Sequence, residues 1–525
     1  MGRNKIANRG TTYSRGELTG YLIGLAGQNI IYNIIGTGLT FYFQNVIFIP
    51  AIACSTIFAV ARVWDAVNDP MMGTIVDKTR SKWGKCKPYL MFIPPVIMIT
   101  TIIPFLNGMY AWTDASGNTQ LASLGARIAI VAWAAVSYIL WGMTYTIGDI
   151  PLWGVTSLMT EDQNDRAKAL SLARICASFG AIGMAFSFIA PFFKGIFLDK
   201  GMDEQHALRG AYILTAVILT VFASVLFEVT GLSVHERVEQ SKESHTMKEN
   251  FQTMWQCLPF RQLLISGVLR SPIQLLGLVA MPLVMYYFFN NNLQKTLVTE
   301  SGLNLPMIIK VVLLFIGIMG GMLISSGVTP SFARRIEKKK LYNFYSIAGA
   351  IPFVLVFVVY YVTHKAGGDL LSWPMTIVIS LVFFVASWAQ GGLNVLQSVM
   401  IADCVDYEEY NNGIRPDGVF FSGQSFITKL ASGIASLIYG GVSALVGFSG
   451  ENVSILNDAL SRGASFITYE NGKFATALFF CVSIPPAIGM VLSAIPTLKY
   501  ALTDKEHTRM LDELNAKRNA SAEEE

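Results

Sequence analysis

Charge is what this 525-residue chain has least of. Asp, Glu, Lys and Arg together supply 14% of it, against roughly 25% in a soluble globular domain. So few charges cannot keep a chain of this length in water. Its six cysteines are scattered without CxxC or CxxH spacing, which leaves neither a disulfide framework nor a cysteine metal site to expect. Gly84-Lys85 is not a phosphate-binding loop, because the GxxxxGK[ST] pattern is missing, and nothing indicates ATP-driven work. HExxH, GxSxG and GxGxxG are missing as well, so catalysis and a resident cofactor have no support. The stretch from Met1 to Arg15 is basic and polar and lacks a signal peptide's apolar core and small-residue cleavage site. The first apolar segment is therefore expected to stay in the protein.

What is present is apolar. Hydrophobic residues make up 53% and the mean hydropathy is +0.47. Gly, Phe and Met are plentiful, as close packing of membrane helices requires. About twelve segments approach the ~20 residues that cross a bilayer. They lie near 18–48, 51–74, 89–112, 123–153, 169–193, 207–231, 258–289, 305–331, 341–362, 373–402, 417–448 and 474–498. A polar stretch without low-complexity character separates six from six. This gives an N-terminal bundle over 1–232, a middle loop over 233–257, a C-terminal bundle over 258–498 and a tail over 499–525.

With both termini inside, the inner segments hold roughly 26 Lys and Arg and the outer ones roughly 8, as the positive-inside rule asks. The net charge of +4 follows from this topology and not from nucleic-acid binding. Residues 77–87 carry Lys78, Arg80, Lys82, Lys85 and Lys87, and residues 334–340 carry five more basic residues. Both loops follow the second span of their half, which suggests an internal repeat. Six plus six spans with recurring inner loops predict an all-α membrane protein of major facilitator architecture, with two six-helix bundles and a site near midplane.

Within the second span stand Arg62, Asp65 and Asp69. Their i, i+3, i+7 spacing puts them on one helix face. A charge at the bilayer centre costs at least ~3 kcal/mol, so this face is expected to turn toward a wet interior. Two carboxylates four residues apart can ligate a hard cation, or share a proton because both ionise together with difficulty. A structural ion-pair cluster between helices is the plainer alternative.

In the fourth span, Tyr145, Asp149 and Trp153 recur every four residues. A carboxylate beside aromatic faces suits a sugar, whose hydroxyls donate to the acid while its C–H face packs on the rings. An interfacial aromatic belt would show the same spacing. Asn29, Tyr32, Asn33, Thr37 and Thr40 share a face of the first span, as a cavity wall or as interhelical polar glue. Arg174 in the fifth span and Lys429 in the eleventh are lone intramembrane cations, the latter following Gln424, Ser425 and Thr428. Arg270 and Lys310 look less central, and Lys310 is expected to snorkel. Asp403, Asp406, Glu408, Glu409 and Arg415 read as a solvated inner loop, or as a gate that pairs with basic inner loops.

WDAVNDP at 64–70, TRSKWGKCKP at 79–88, WGMTYTIGDIP at 141–151 and IADCVDYEEY at 401–410 resemble the glycoside–pentoside–hexuronide:cation symporters over nearly the whole chain. The resemblance implies a major facilitator fold and sugar uptake coupled to Na⁺, H⁺ or Li⁺. It implies that Asp65 and Asp69 bind the cation, Na⁺ if the coupling is to sodium, with help from Thr146. It implies that Tyr145, Asp149 and Trp153 contact the sugar, and that Arg174 and Lys429 match the family's buried cations. Two positions depart from the melibiose branch of the family: Gln28-Asn29 replaces its Lys-Asp pair, and Asn394 replaces its Trp. Asn at the first of these sites is more like the glucuronide and pentoside branches.

The expectation is a monomeric symporter in a bacterial inner membrane that moves a sugar, glycoside or hexuronide with Na⁺ or H⁺. Its substrate contacts would be Asn29, Tyr145, Asp149, Trp153, Arg174, Asn394, Gln424, Ser425, Thr428 and Lys429. Its partners would be the sugar, which an acidic group could suit, the cation and membrane lipid, with no nucleic acid. The rivals are a lysolipid or drug carrier on the same fold and a non-transporting sugar sensor. The polar pocket argues against an acyl tail, and the short inner segments offer no regulatory domain.

Overall fold

The computed structural model describes residues 12–237 and 252–513, apart from 114–118, 161–164, most of 166–185, parts of 293–301, 413–416, Thr253, Ser449 and Leu511. Among the described residues, nine helices are long and apolar enough to cross a membrane. The expected second span is a continuous helix, α2 (Ala51–Lys78), that carries the charged face. Shorter apolar helices, Pro94–Leu106 and Phe186–Leu198, stand where the third and fifth spans were expected. The chain divides into two units, Met1–Ser244 with Ser443–Gly463, and His245–Val442 with Ala464–Glu525.

In the first unit, α1 (Arg15–Asn33) packs along α4 (Glu204–Ser233), and α2 packs along α3 (Leu124–Gly154). Lipid tails are as apolar as leucine, so membrane helices associate by close packing. The glycines of α1 show this. A Cβ on Gly27 would lie 2.4 Å from the Ala223 carbonyl oxygen, and one on Gly24 would lie 2.8 Å from Thr230 Cβ. On α2, Cys54, Phe58, Ala61, Asp65, Asn68, Met72 and Val76 are buried, while Val60, Val63, Met71 and Ile75 are exposed. The apolar stripe suits lipid, and the buried one carries the polar groups inward. Beyond Asn33 the first span continues through π-helical turns at Ile34–Leu39 and Tyr42–Val46. These wider turns shift the face on which Thr37 and Thr40 were expected to follow Asn29 and Asn33.

The basic loop after α2 is fastened by one carboxylate. Glu236, just past α4, accepts the backbone N–H groups of Lys85, Cys86 and Lys87 at 2.8, 2.7 and 2.8 Å. Lys87 Nζ returns a bond of 2.7 Å to the Val234 carbonyl. Gly84 has φ +119°, and a Cβ there would lie 2.4 Å from the Glu236 carboxyl carbon. Glycine meets both demands. Ser443–Gly463, remote in sequence, belongs to this unit; Asn457 Nδ2 donates to the Asn45 carbonyl at 3.2 Å. Its helix, Glu451–Ser461, was not anticipated.

In the second unit, α5 (Leu258–Leu269) ends at Arg270, where a short 3₁₀ turn precedes the rest of the seventh span. Two long helices follow, α6 (Trp373–Asn412) and α7 (Asp417–Val446). Small residues again set the packing: a Cβ on Gly321 would lie 2.0 Å from the Phe384 carbonyl oxygen of α6. The acids at 403–409 are not in a loop, as expected, but in the last turns of α6. Their negative charges are met by folded neighbours. Lys338 pairs with Asp403, and His507 of the tail lies 3.1 Å from Asp406 and 3.7 Å from Asp403. Asp504 accepts the Lys338 backbone N–H at 3.0 Å. A carboxylate past the last span therefore holds the start of the span after a basic loop, as Glu236 does in the first unit. Lys310 donates to the Leu371 carbonyl and lies 5.2 Å from the Trp373 ring centroid, a span-end anchor as expected.

Candidate functional site

The charged face of α2 meets α3. Arg62 Nη1 pairs with Asp65 Oδ2 at 2.9 Å, and Arg62 Nη2 donates to the Tyr138 hydroxyl at 2.9 Å. Asp65 is buried, and its Oδ1 would lie 3.2 Å from a Cβ placed on Gly142, so a side chain there would crowd the carboxylate. One turn along, Thr146 Oγ1 donates to Asp69 Oδ1 at 3.0 Å. The i, i+3, i+7 spacing thus brings Arg62, Asp65 and Asp69 against Tyr138, Gly142 and Thr146, which share one face of α3.

A second polar cluster begins within a turn of Thr146. Gln28 of α1, fully buried, donates through Nε2 to Asp149 Oδ1 at 2.7 Å and to the Tyr145 hydroxyl. Its Oε1 accepts from Asn29 Nδ2 at 2.9 Å. Asn29 also donates to the Leu25 carbonyl. The amide chain therefore fixes the position of a half-buried carboxylate. Tyr145 packs between Trp141 and Tyr32, with ring centroids 4.9 and 5.7 Å away. Thr146 and Asp149 are separated by about 4.5 Å of helix rise. An ion held at the first cluster would therefore sit close to a ligand held at the second. Pro151, which cannot donate to the helix ladder, stands two residues after Asp149. Trp153 lies one turn beyond Asp149 on the same helix and is 36% exposed.

The remaining expected residues lie elsewhere. Arg174 is outside the described residues. Asn394, Gln424, Ser425, Thr428 and Lys429 are in the second unit, on α6 and α7. Gln424 Nε2 donates to Ser398 Oγ at 2.8 Å, and Thr428 Oγ1 to the Gln424 carbonyl at 3.0 Å. Lys429 is half-buried and engaged by another group. Asn394 Oδ1 accepts from Arg270 at 3.3 Å.

Sequence reading named Gln28 only as part of a departure from the melibiose branch and set Arg270 aside as less central. Gln28 is next to Asn29, and its partners Tyr145 and Asp149 lie on α3, which spacing along α1 does not show. Arg270 sits at a helix break that periodicity does not show. Both had one available signal: each is a polar residue within an apolar span.

An all-helical, multi-span fold with charged groups held inside its bundles is that of a membrane transport protein. A family model described as MFS/sugar transport protein matches residues 20–504, and the chain belongs to that family. It is 25% identical to the isoprimeverose transporter of Lactiplantibacillus pentosus, over 95% of this chain and 91% of that one. It is 23% identical to the glucuronide carrier protein homolog of Escherichia coli (strain K12), over 95% of each. Among solved structures, a bacterial homolog of the human lysosomal transporter Spinster, inward-facing and unoccupied, superposes with a TM-score of 0.60 at 11% identity, over 94% of this chain and 100% of that one. That last likeness is one of fold alone.

Proposed function

We propose that this protein is a secondary active symporter that takes up a sugar or glycoside with Na⁺ or H⁺ by alternating access. Bacterial inner membrane is its proposed setting, with both termini cytoplasmic. The observation that supports this most is the pairing on α3 of two clusters within one turn, Asp65–Asp69–Thr146 and Gln28–Asp149–Tyr145. Carboxylate and hydroxyl oxygens are donors suited to a hard cation. An Asp beside Trp141 and Tyr145 suits hydroxyls and a C–H face. Trp153, Asn29 and the second unit's Asn394, Gln424, Ser425, Thr428 and Lys429 are proposed as further substrate contacts, and Arg174 with them. Residues 1–232 and 258–498 are proposed as the two bundles that rock against each other.

The physical role of the cation is to lower the cost of closing carboxylates into a dry state. Uncompensated, each costs at least ~3 kcal/mol at mid-membrane. Arg62 already neutralises Asp65, so a single monovalent ion or proton at Asp69 balances the cluster. A sugar at Asp149 then adds the binding energy for closure.

Counterflow in proteoliposomes tests this, with a panel of sugars and with Na⁺, Li⁺ and pH gradients in turn. Saturable exchange of at least one sugar, concentrated only when an ion gradient is imposed, is the expected result. Exchange of lysolipid in place of sugar, or sugar binding with no exchange, would refute it in favour of a lipid carrier or a sensor.

A further inference from the structure

Arg270 is a buried guanidinium that no acid pairs with among the described residues. It is 6% exposed and lies at the break between α5 and the 3₁₀ turn Ser271–Gln274. Its Nη2 donates to Asn394 Oδ1 at 3.3 Å and to Gln397 Oε1, both amide oxygens of α6. Its Nη1 is buried and has no hydrogen-bond partner. Two neutral amides satisfy part of its donor fork and none of its charge.

Among the described residues of its bundle, no acid is within ion-pair distance of it. Between residues 258 and 402 the only acids are Glu300, Glu337 and Asp369, and each falls between spans. Asp403 follows Asn394 on α6 at about 14 Å along the axis, and Lys338 and His507 already engage it. Charges within membrane spans normally pair with one another or serve a pathway. Among the described residues Arg270 has no ion-pair partner in its bundle, which favours the second explanation.

We propose that Arg270, flanked by Asn394 and Gln397, binds the carboxylate of an acidic sugar, so that the transporter prefers a hexuronide to the neutral glycoside. This rests on the sugar-symport reading above and adds the substrate class. A carboxylate offers two parallel acceptor oxygens that match the guanidinium fork, and it supplies the missing charge. A sugar hydroxyl could satisfy Nη1 but not the charge. Asn394, the exposed member of the trio, is the point of approach. Arg270, and not Lys429, is thus the carboxylate reader, because Lys429 is already engaged.

The test uses the purified full-length transporter and matched p-nitrophenyl glycosides, glucuronide against glucoside and galacturonide against galactoside. Wild type should bind one uronide at least tenfold more tightly than its neutral partner. Arg270→Gln should collapse that ratio to near one, and Arg270→Lys should keep part of it. Asn394→Asp offers a built-in counter-charge, so it should also collapse the ratio while raising the melting temperature. That variant keeps the test alive where Arg270→Gln fails to fold. Equal binding of both members of each pair by wild type overturns the inference and leaves sugar symport standing. A preference that survives in Arg270→Gln or Asn394→Asp also overturns it. Failure of folded wild type to bind any of the four sugars refutes both readings.

Discussion

Thr146 has one hydroxyl proton and two acceptors at 3.0 Å, Asp69 Oδ1 and the Gly142 carbonyl. It cannot donate fully to both. In the empty site, donation to Asp69 stabilises the carboxylate. When a cation arrives at Asp69, the proton can turn to Gly142 and leave the Thr146 oxygen free as a ligand. Thr146→Val keeps the shape and removes that choice. In the empty state water can replace the lost donor, because Asp69 is only half-buried. In the closed, ion-loaded state any replacement water must be immobilised, at up to ~2 kcal/mol. Loss of one good ligand contact is worth a further ~1 kcal/mol. The net expectation is ~1–3 kcal/mol, or roughly five- to 150-fold in half-saturating ion concentration. Thr146→Ser should stay near wild type. The assay is sugar uptake or binding titrated separately with Na⁺, Li⁺ and protons, at fixed sugar. A valine variant whose ion dependence matches wild type for every coupling ion would refute the reasoning.

Asp65→Asn or Asp69→Asn should abolish ion-driven accumulation in a protein that still folds, and full concentrative uptake by the double variant would exclude these acids as the ion site. Asp149→Ala and Gln28→Ala should weaken sugar binding by about ten- to a hundredfold, the loss expected from one charge-assisted bond of ~1.5–3 kcal/mol, with a smaller effect on ion binding; unchanged sugar titrations in both count against the cluster. Trp153→Ala should weaken sugar less than Asp149→Ala does, since a 36% exposed ring offers packing and no charge-assisted bond, and an equal loss would show that it closes over the ligand. Glu236→Ala removes an acceptor of three backbone N–H groups and should lower the melting temperature of the full chain, with a stability loss of ~1–3 kcal/mol; an unchanged melting profile would show that water replaces the cap without cost.

Spans and the charged face of α2 were legible because both rest on local rules. An apolar run of ~20 residues has few alternatives to a membrane helix, and spacing of i, i+3, i+7 needs no tertiary information. What could not be read was partnership. Gln28 is one more polar residue in the first span until α3 brings Asp149 within 2.7 Å of it. The acids at 403–409 looked like loop because a charge run usually ends a span. They remain helical because Lys338 and His507, remote in sequence, meet them. Likewise the Glu451–Ser461 helix has no membrane signature and takes its place by packing on the hairpin Ala111–Thr113 with Thr119–Leu121.

Recurring carboxylate caps account for the scaffold and not the chemistry. Glu236 and Asp504 are alike in being carboxylates past the last span of their bundle that accept backbone N–H groups at the end of a basic loop, three for Glu236 and one for Asp504. Such a cap serves any cargo, since it only fixes how the inner ends of three helices meet. Inside the spans the halves differ. The first holds Asp65, Asp69 and Asp149 with Arg62 among them. The described interior of the second holds Arg270 with two amides and no acid beside it. Selection for stability alone gives no reason to keep a buried guanidinium beside two neutral amides, because a buried charge without a counter-charge is destabilising. Retained asymmetry of this kind is better explained by cargo: a cation is matched to acids, and an anionic group to the guanidinium. On that logic, supplying Arg270 with its own carboxylate should make the protein more stable and a poorer carrier of acidic sugars, and the two effects should appear together in Asn394→Asp.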